Sequence, residues 1–372
     1  MRRALLTALS VFAGFFALYA LTAQRGFGWG DSGEFQDWVL RHATFICGPQ
    51  FSNAHPFYVA FCRAVARTPF AVTLVSSFFG ALSVGGLYLC TRRVALAVLF
   101  GLSQMLWWLS AVAEVQTMSL ALTAVETALL ISLTEARATT EARTARANAV
   151  RLFVLAVVSG LHLGVHNFAV LSWPVLVYLP VVLVRRGVCR AGGAACALVG
   201  WLLGASVWLY HLVVRGPRDV LVGSYGAKAI GILPADGLQT AFNFALASLS
   251  FFVPLALAWW NRRTLRTLFA PARLSEGADG FLLALFAVNF LFFVRYFVPD
   301  QSQFLLPTLF YAYVLLRRVG PSVNRTVALA VLQVLLPLFF YFIVSQLPVP
   351  SERRERHPGR DEARYFCLPW KI

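Results

Sequence analysis

Lysine is almost missing from this chain: Lys228 and Lys371 are the only two in 372 residues. Charge of any sign is scarce, at 13% of positions, and 16 acids face 32 basic residues. The excess is therefore arginine. It falls in short clusters between apolar runs rather than along one face with interleaved aromatics, so it does not describe a nucleic-acid surface. The six cysteines contain no CxxC and no metal-ligand spacing. Cys62, Cys90, Cys189 and Cys196 fall in or beside apolar runs and read as small core residues. Cys47 and Cys367 fall on one side of the topology below, which leaves a disulfide open. No HExxH occurs, nor any inverted repeat or matched pair of Gly/Pro-broken helices of the kind transporters use.

Apolar sequence is what the chain has in abundance. Hydrophobic residues make up 59% and aromatics 14%, a load that a water-soluble domain could not carry without aggregating. The sequence predicts an all-α polytopic membrane protein, because only helices of ~20 apolar residues satisfy their own backbone across ~30 Å of hydrocarbon. About eleven spans are expected, near 4–23, 69–90, 95–110, 117–134, 151–165, 168–184, 192–213, 240–260, 280–296, 302–316 and 326–346. The first follows Met1-Arg2-Arg3 and lacks a small-residue cleavage site, so it reads as a retained helix rather than a leader. Residues 1–346 would form the transmembrane domain and 347–372 a short outer-side tail.

Orientation follows from arginine. With the N-terminus in the cytoplasm, alternate loops carry Arg2/Arg3, Arg92/Arg93, Arg137/Arg143/Arg146/Arg151, Arg185/Arg186/Arg190, Arg262/Arg263/Arg266/Arg273 and Arg317/Arg318/Arg325. The basic tail on the outer side runs against that pattern. The Ala-rich stretch EARATTEARTARANAVR reads as a solvated helical connector. Most acids without a cytoplasmic Arg nearby gather on the outer side, where any chemistry is expected.

Five outer stretches could carry it. In GWGDSGEFQ, Asp31 and Glu34 fit a capping box opening an amphipathic interfacial helix with Phe35, Trp38, Val39 and His42 on one face. The alternative is that one of these acids faces a cavity, where burial raises its pKa and lets it take a proton from an acceptor hydroxyl. The two roles are compatible. In SNAHPF, Pro56 starts a second amphipathic segment and His55 is either a cap residue or a ligand for phosphate or carboxylate. Glu114, in SAVAEVQTMS, lies at a turn among Ala, Val and aromatic residues; Glu126 lies near mid-span, to be paired with a buried Arg or held neutral. His162 and His166 share a helix face in GLHLGVHN but lack the third ligand a zinc site needs, so His166 is expected to line a pocket. In RYFVPDQSQ, Arg295 and Asp300 flank the ninth span; Arg295, with Arg215, Arg218 and Lys228, could snorkel or stabilise a lipid phosphate.

GDSGEF, AHP, SAVAEVQTMS, GLHLGVHN and RYFVPDQSQFLLP occur in one order, and that order resembles the transmembrane protein 260 family (domain of unknown function 2723) over about residues 1–345. The resemblance implies a GT-C-class membrane glycosyltransferase, similar to protein O-mannosyltransferases. It implies transfer of a sugar from a polyprenyl- or dolichyl-phosphate donor to the hydroxyl of a protein or glycan acceptor, with no metal or other cofactor. Asp31 and Glu34 match the acidic motif, His55 the HP motif, Glu114 the AEV motif and Asp300 the PD motif. Departures are HPFYVA where many members read HPPGYP, AEVQ where they read AEVY, and a short tail in place of a large soluble region. The compartment would be the endoplasmic reticulum in a eukaryote or the inner membrane in a bacterium. A multi-pass transporter or lipid flippase is the alternative; it calls for functional charges near the bilayer midplane.

Overall fold

The computed structural model describes residues 2–28, 30–41, 55–138, 141–217, 220, 237–263, 266, 277–298 and 301–346. His42, Cys47, Arg218, Lys228, Asp300, Cys367 and the 347–372 tail lie outside the described residues.

Each of the eleven apolar segments is helical. The elements are α1 (Arg2–Leu21), α2 (Asp31–Arg41), α3 (Pro56–Val65), α4 (Pro69–Thr91), α5 (Val94–Gly101), α6 (Gln104–Ala111), α7 (Gln116–Thr134) and α8 (Ala142–Val165). They continue as α9 (Trp173–Arg185), α10 (Ala191–Gly204), α11 (Ser206–Arg215), α12 (Gly237–Trp260), α13 (Ala278–Arg295), α14 (Leu306–Leu315) and α15 (Val323–Gln346). Among the described residues seven helices are long and apolar enough to cross a bilayer, and up to nine spans result if two bent pairs each count once. The chain is thus an integral, multi-pass membrane protein. The pairs are α5 with α6, bent by 61°, and α10 with α11, bent by 54°. Of the remaining expected spans, 302–316 is a 3-10 turn (Gln301–Leu305) followed by the ten residues of α14. The other, 326–346, lies within α15, which carries Pro337 in its interior.

Burial divides the helices by what they face. α4 is central, with buried residues along its length from Val72 to Thr91. On α1 only Ala8, Phe15 and Tyr19 are buried, a single stripe that packs inward while Leu5, Leu6 and Leu9 stay exposed. The Tyr19 hydroxyl donates to the Gly101 carbonyl at 2.6 Å, which ties α1 to the end of α5. Leu198, Leu202, Leu203, Val213, Phe339 and Phe342 are exposed on α10, α11 and α15. Faces of that kind are suited to lipid, not water.

Small residues allow the closest approach, between α8 and α10. A Cβ on Gly160 would come within 2.4 Å of the Trp201 carbonyl oxygen, and one on Gly204 within 2.0 Å of the Val157 carbonyl oxygen. Backbones therefore touch without an intervening side-chain layer, a packing mode that needs no hydrophobic drive within lipid.

Candidate active site at the outer end of the bundle

The first loop helix is anchored before it presents any acid. α2 begins at Asp31, with Gly30 just before it at φ 61°, and the Glu34 N–H donates to the Gly30 carbonyl at 3.1 Å. The helix starts one residue earlier than the capping-box reading placed it: Gly30 takes the left-handed conformation and Asp31, expected as the N-cap, is the first helical residue. Both acids remain in the first turn, where the helix dipole favours negative charge. Phe35 and Val39 point into a satellite apolar cluster with Tyr58, Val59 and Cys62 of α3. That is the face predicted to be apolar.

Gln36, which sequence reasoning passed over, holds the approach segment. Its Oε1 accepts from the Gly28 N–H at 2.6 Å, and its Nε2 donates to the carbonyls of Gly26 (3.2 Å) and Pro69 (3.1 Å) and to Thr73 Oγ1 (3.2 Å). The amide is fully buried, so losing a partner there would leave a desolvated group behind. Gly33 has no room for a side chain: a Cβ would sit 2.5 Å from the Gly28 carbonyl oxygen. The glycines and Gln36 of GWGDSGEFQ thus fold the loop tightly onto α4.

This anchoring brings the acidic loop to a second acid. Ser32 Oγ lies 3.4 Å from Glu114 Oε1, and Glu114 is buried at the turn between α6 and α7. Ser76 of α4 fixes that turn from both directions, accepting from the Glu114 N–H at 2.8 Å and donating to its carbonyl at 2.9 Å. Asp31 is half-buried beside Ser32, whereas Glu34 is on the open side of α2. Even so, the surrounding chain desolvates the Glu34 carboxyl enough to raise its pKa.

Two histidines border the acids. His55 precedes α3, with Pro56 in the first helical position as predicted. Its Nδ1 lies 2.7 Å from the Val165 carbonyl and so carries the proton, leaving Nε2 as the acceptor. Burial lowers its pKa to about 4, against a smaller upward pull from that carbonyl. The His166 ring lies 4.8 Å from that of His55, and its Nδ1 accepts from the Phe168 N–H at 3.1 Å. Burial first, then the neighbouring imidazoles of His55 and His162, hold His166 neutral with its pKa well below the usual value. A neutral ring accepting at Nδ1 donates from Nε2. The Gln116 side-chain amide lies beside that nitrogen, its Nε2 at 3.1 Å.

Gln116 and His166 line a small polar cavity together with Ser119, Thr123, His162, Ser172 and Asn289, closed by Phe168, Phe292, Phe304 and Tyr311. His166 was expected to line a pocket that Asp31 and Glu34 face; it lines this cavity, whereas Asp31, Glu34 and Glu114 are not among the lining residues. Arg295 is exposed at the end of α13, outside that lining, and Arg215 is exposed at the end of α11. Glu126 meets His162 rather than an arginine, with Oε1 3.2 Å from Nδ1. Among the described residues no group of three His, Cys, Asp or Glu side chains could hold a metal ion.

With this geometry in hand, the chain is similar to two solved structures of ArnT from Cupriavidus metallidurans. One is bound to undecaprenyl phosphate, with a TM-score of 0.62 at 16% identity, covering 93% of this chain and 66% of ArnT. The other, in the apo state, gives 0.63 at 16% identity, covering 93% and 65%. The likeness is one of fold, a polytopic GT-C-like bundle, and the chain spans just under two thirds of ArnT's length. No family model matches the chain, and no curated protein matches it by sequence.

Proposed function

We propose that the protein is a membrane glycosyltransferase that moves a sugar from a polyprenyl-phosphate donor to an acceptor hydroxyl at the outer face. The observation that carries this reading is the docking of the GDSGEF helix on Glu114, which gathers acids at one end of a GT-C-like bundle. The likeness to an ArnT structure bound to undecaprenyl phosphate supports a donor of that class. Asp31, half-buried in the first turn of α2, is the base that deprotonates the acceptor, with Glu34 the second choice. Glu114, His55 and His166 shape the acceptor side. Arg295 and Asp300, with Arg215, Arg218 and Lys228, belong to the donor phosphate side, where cations offset the charge that develops on the leaving group.

The ordered motifs favour a member of the transmembrane protein 260 family, and hence mannose as the sugar and Ser or Thr of a protein as the acceptor. The membrane would be that of the endoplasmic reticulum in a eukaryote, or the inner membrane in a bacterium. Purified protein incubated with labelled polyprenyl-phosphate mannose and a Ser/Thr peptide should yield labelled peptide. Label remaining on the lipid with all peptides and glycans tried would remove the reading. A transporter is the second reading, favoured by the Glu126–His162 pair inside the bundle. Movement of label across a sealed vesicle without covalent transfer would select it.

A further inference from the structure

The HxxxH pair does more than line a cavity. His162 Nδ1 lies 3.2 Å from Glu126 Oε1, and its Nε2 lies 2.7 Å from Ser119 Oγ. Both side chains are only 4% exposed, and Glu126 Oε2 is buried without a hydrogen-bond partner. At ~1.5 Å per residue, Glu126 sits about 15 Å along α7 from Gln116, roughly half the hydrocarbon thickness. A carboxyl at that depth with one unsatisfied oxygen costs stability, so a purely structural role has a poor rationale.

The polar side chains continue outward from this pair. Gln116, Ser119, Thr123 and Glu126 recur along α7 at helical spacing, facing His162 and His166 of the neighbouring segment. The cavity bordered by Gln116, Ser119 and Thr123, with Glu126 reached only through His162, offers about 20 Å³ to water, room for one molecule with several polar partners. Beyond it stand His166 and then His55, at the end of the bundle where Ser32 meets Glu114.

We propose that Glu126 and His162 form a proton-binding site inside the membrane, exchanging with the outer face through Ser119 and the water-sized cavity. The step balances without any other reactant. A proton arriving from cavity water is accepted by Ser119 Oγ as that hydroxyl passes its own proton to His162 Nε2. The product is an imidazolium whose Nδ1–H faces the Glu126 carboxylate, with one proton taken up. Other titratable groups facing the pair are His166 across the cavity, with His55 behind it, and Tyr311 of α14, which lies within electrostatic reach of Glu126 and Cys90. No lysine or arginine lines the cavity among the described residues.

The test is ¹⁵N-histidine NMR of the full chain in lipid nanodiscs, with His162→Gln assigning the signal. The His162 nitrogens should report proton uptake as the solution is acidified. Glu126→Gln, which keeps shape but removes the carboxyl group, should weaken that proton binding by about tenfold. Ser119→Ala should leave the midpoint nearly unchanged but slow solvent exchange of the imidazole proton by about tenfold or more. A His162 signal that does not titrate, or titrates identically in Glu126→Gln, overturns the site. Unaltered exchange in Ser119→Ala overturns the route. Because Ser119→Ala removes only one hydroxyl, the route is tested even if the charge-removing variant does not fold. The measurement needs no sugar donor, so its outcome is independent of the transfer assay.

Discussion

The two ends of the bundle treat their acids in opposite ways. At the end where the arginine-rich loops gather, Asp279 at the start of α13 is clamped by Arg317 at 2.6 Å and Arg318 at 3.0 Å. Arg186 there donates to the Thr134 carbonyl at 2.9 Å, closing the end of α7. At the other end Glu114 faces the hydroxyl of Ser32, and neutral imidazoles stand nearby. A carboxylate locked between two guanidiniums is committed to structure, because both ion pairs fix its position. The contrast separates a girder from a workplace.

The sharpest way to break that contrast is to neutralise one acid at each end. Asp31→Asn should lower transfer by about 10²–10⁴-fold, as removal of a general base does, with thermal unfolding in detergent unchanged. Asp279→Asn should do the reverse. Leaving the nearly buried Arg317 with only its 4.0 Å contact to Glu135 should cost about 2–3 kcal/mol of stability, read as a lower unfolding midpoint, while activity per folded molecule survives. Equal losses of activity and stability in both variants would dissolve the distinction.

Acid pH sharpens it further. The folded pKa of His55 is about 4, below its unfolded value of about 6.5, so the unfolded chain binds the proton first. Stability tied to this group is whole above about pH 6.5 and is lost as pH falls toward 4, by up to about 3 kcal/mol. His55→Gln, which still offers a donor to Val165 but does not titrate, should flatten that part of the stability–pH profile. The smallest effect is expected from Ser32→Ala. Its 3.4 Å contact with Glu114 is long, so about 0.5–1 kcal/mol should be lost, with a modest fall in transfer.

Hydropathy made the bundle legible because a lipid-spanning helix announces itself by length and composition alone. All eleven segments proved helical, and α2 buried Phe35 and Val39 as its periodicity required. What sequence could not show was where a segment bends, as α5 and α6 do at Leu102–Ser103, since nothing in ~16 apolar residues distinguishes a straight span from a broken one. The outer end was half legible. Asp31, His55 and Glu114 stood out as polar residues at helix ends, but Gln36 looked like any surface amide until its partners from two separate segments, the approach loop and α4, were seen. For Glu126 a buried arginine or a hydrogen bond as a neutral acid was left open, and its partner His162 could not be read from sequence, because pairing across two helices depends on their rotation about their own axes. The polar spacing of three, four and three residues from Gln116 through Ser119 and Thr123 to Glu126 was the overlooked signal.

The contact between α8 and α10 bears on how a long-tailed lipid could enter. Helices separated by a layer of side chains can slide, since rotamers adjust as ridges pass over grooves. Here a carbonyl of each helix rests against a glycine of the other, and no rotamer exists to take up a displacement. The two staves behave as one plank, so a lateral doorway would have to open along some other seam of the barrel.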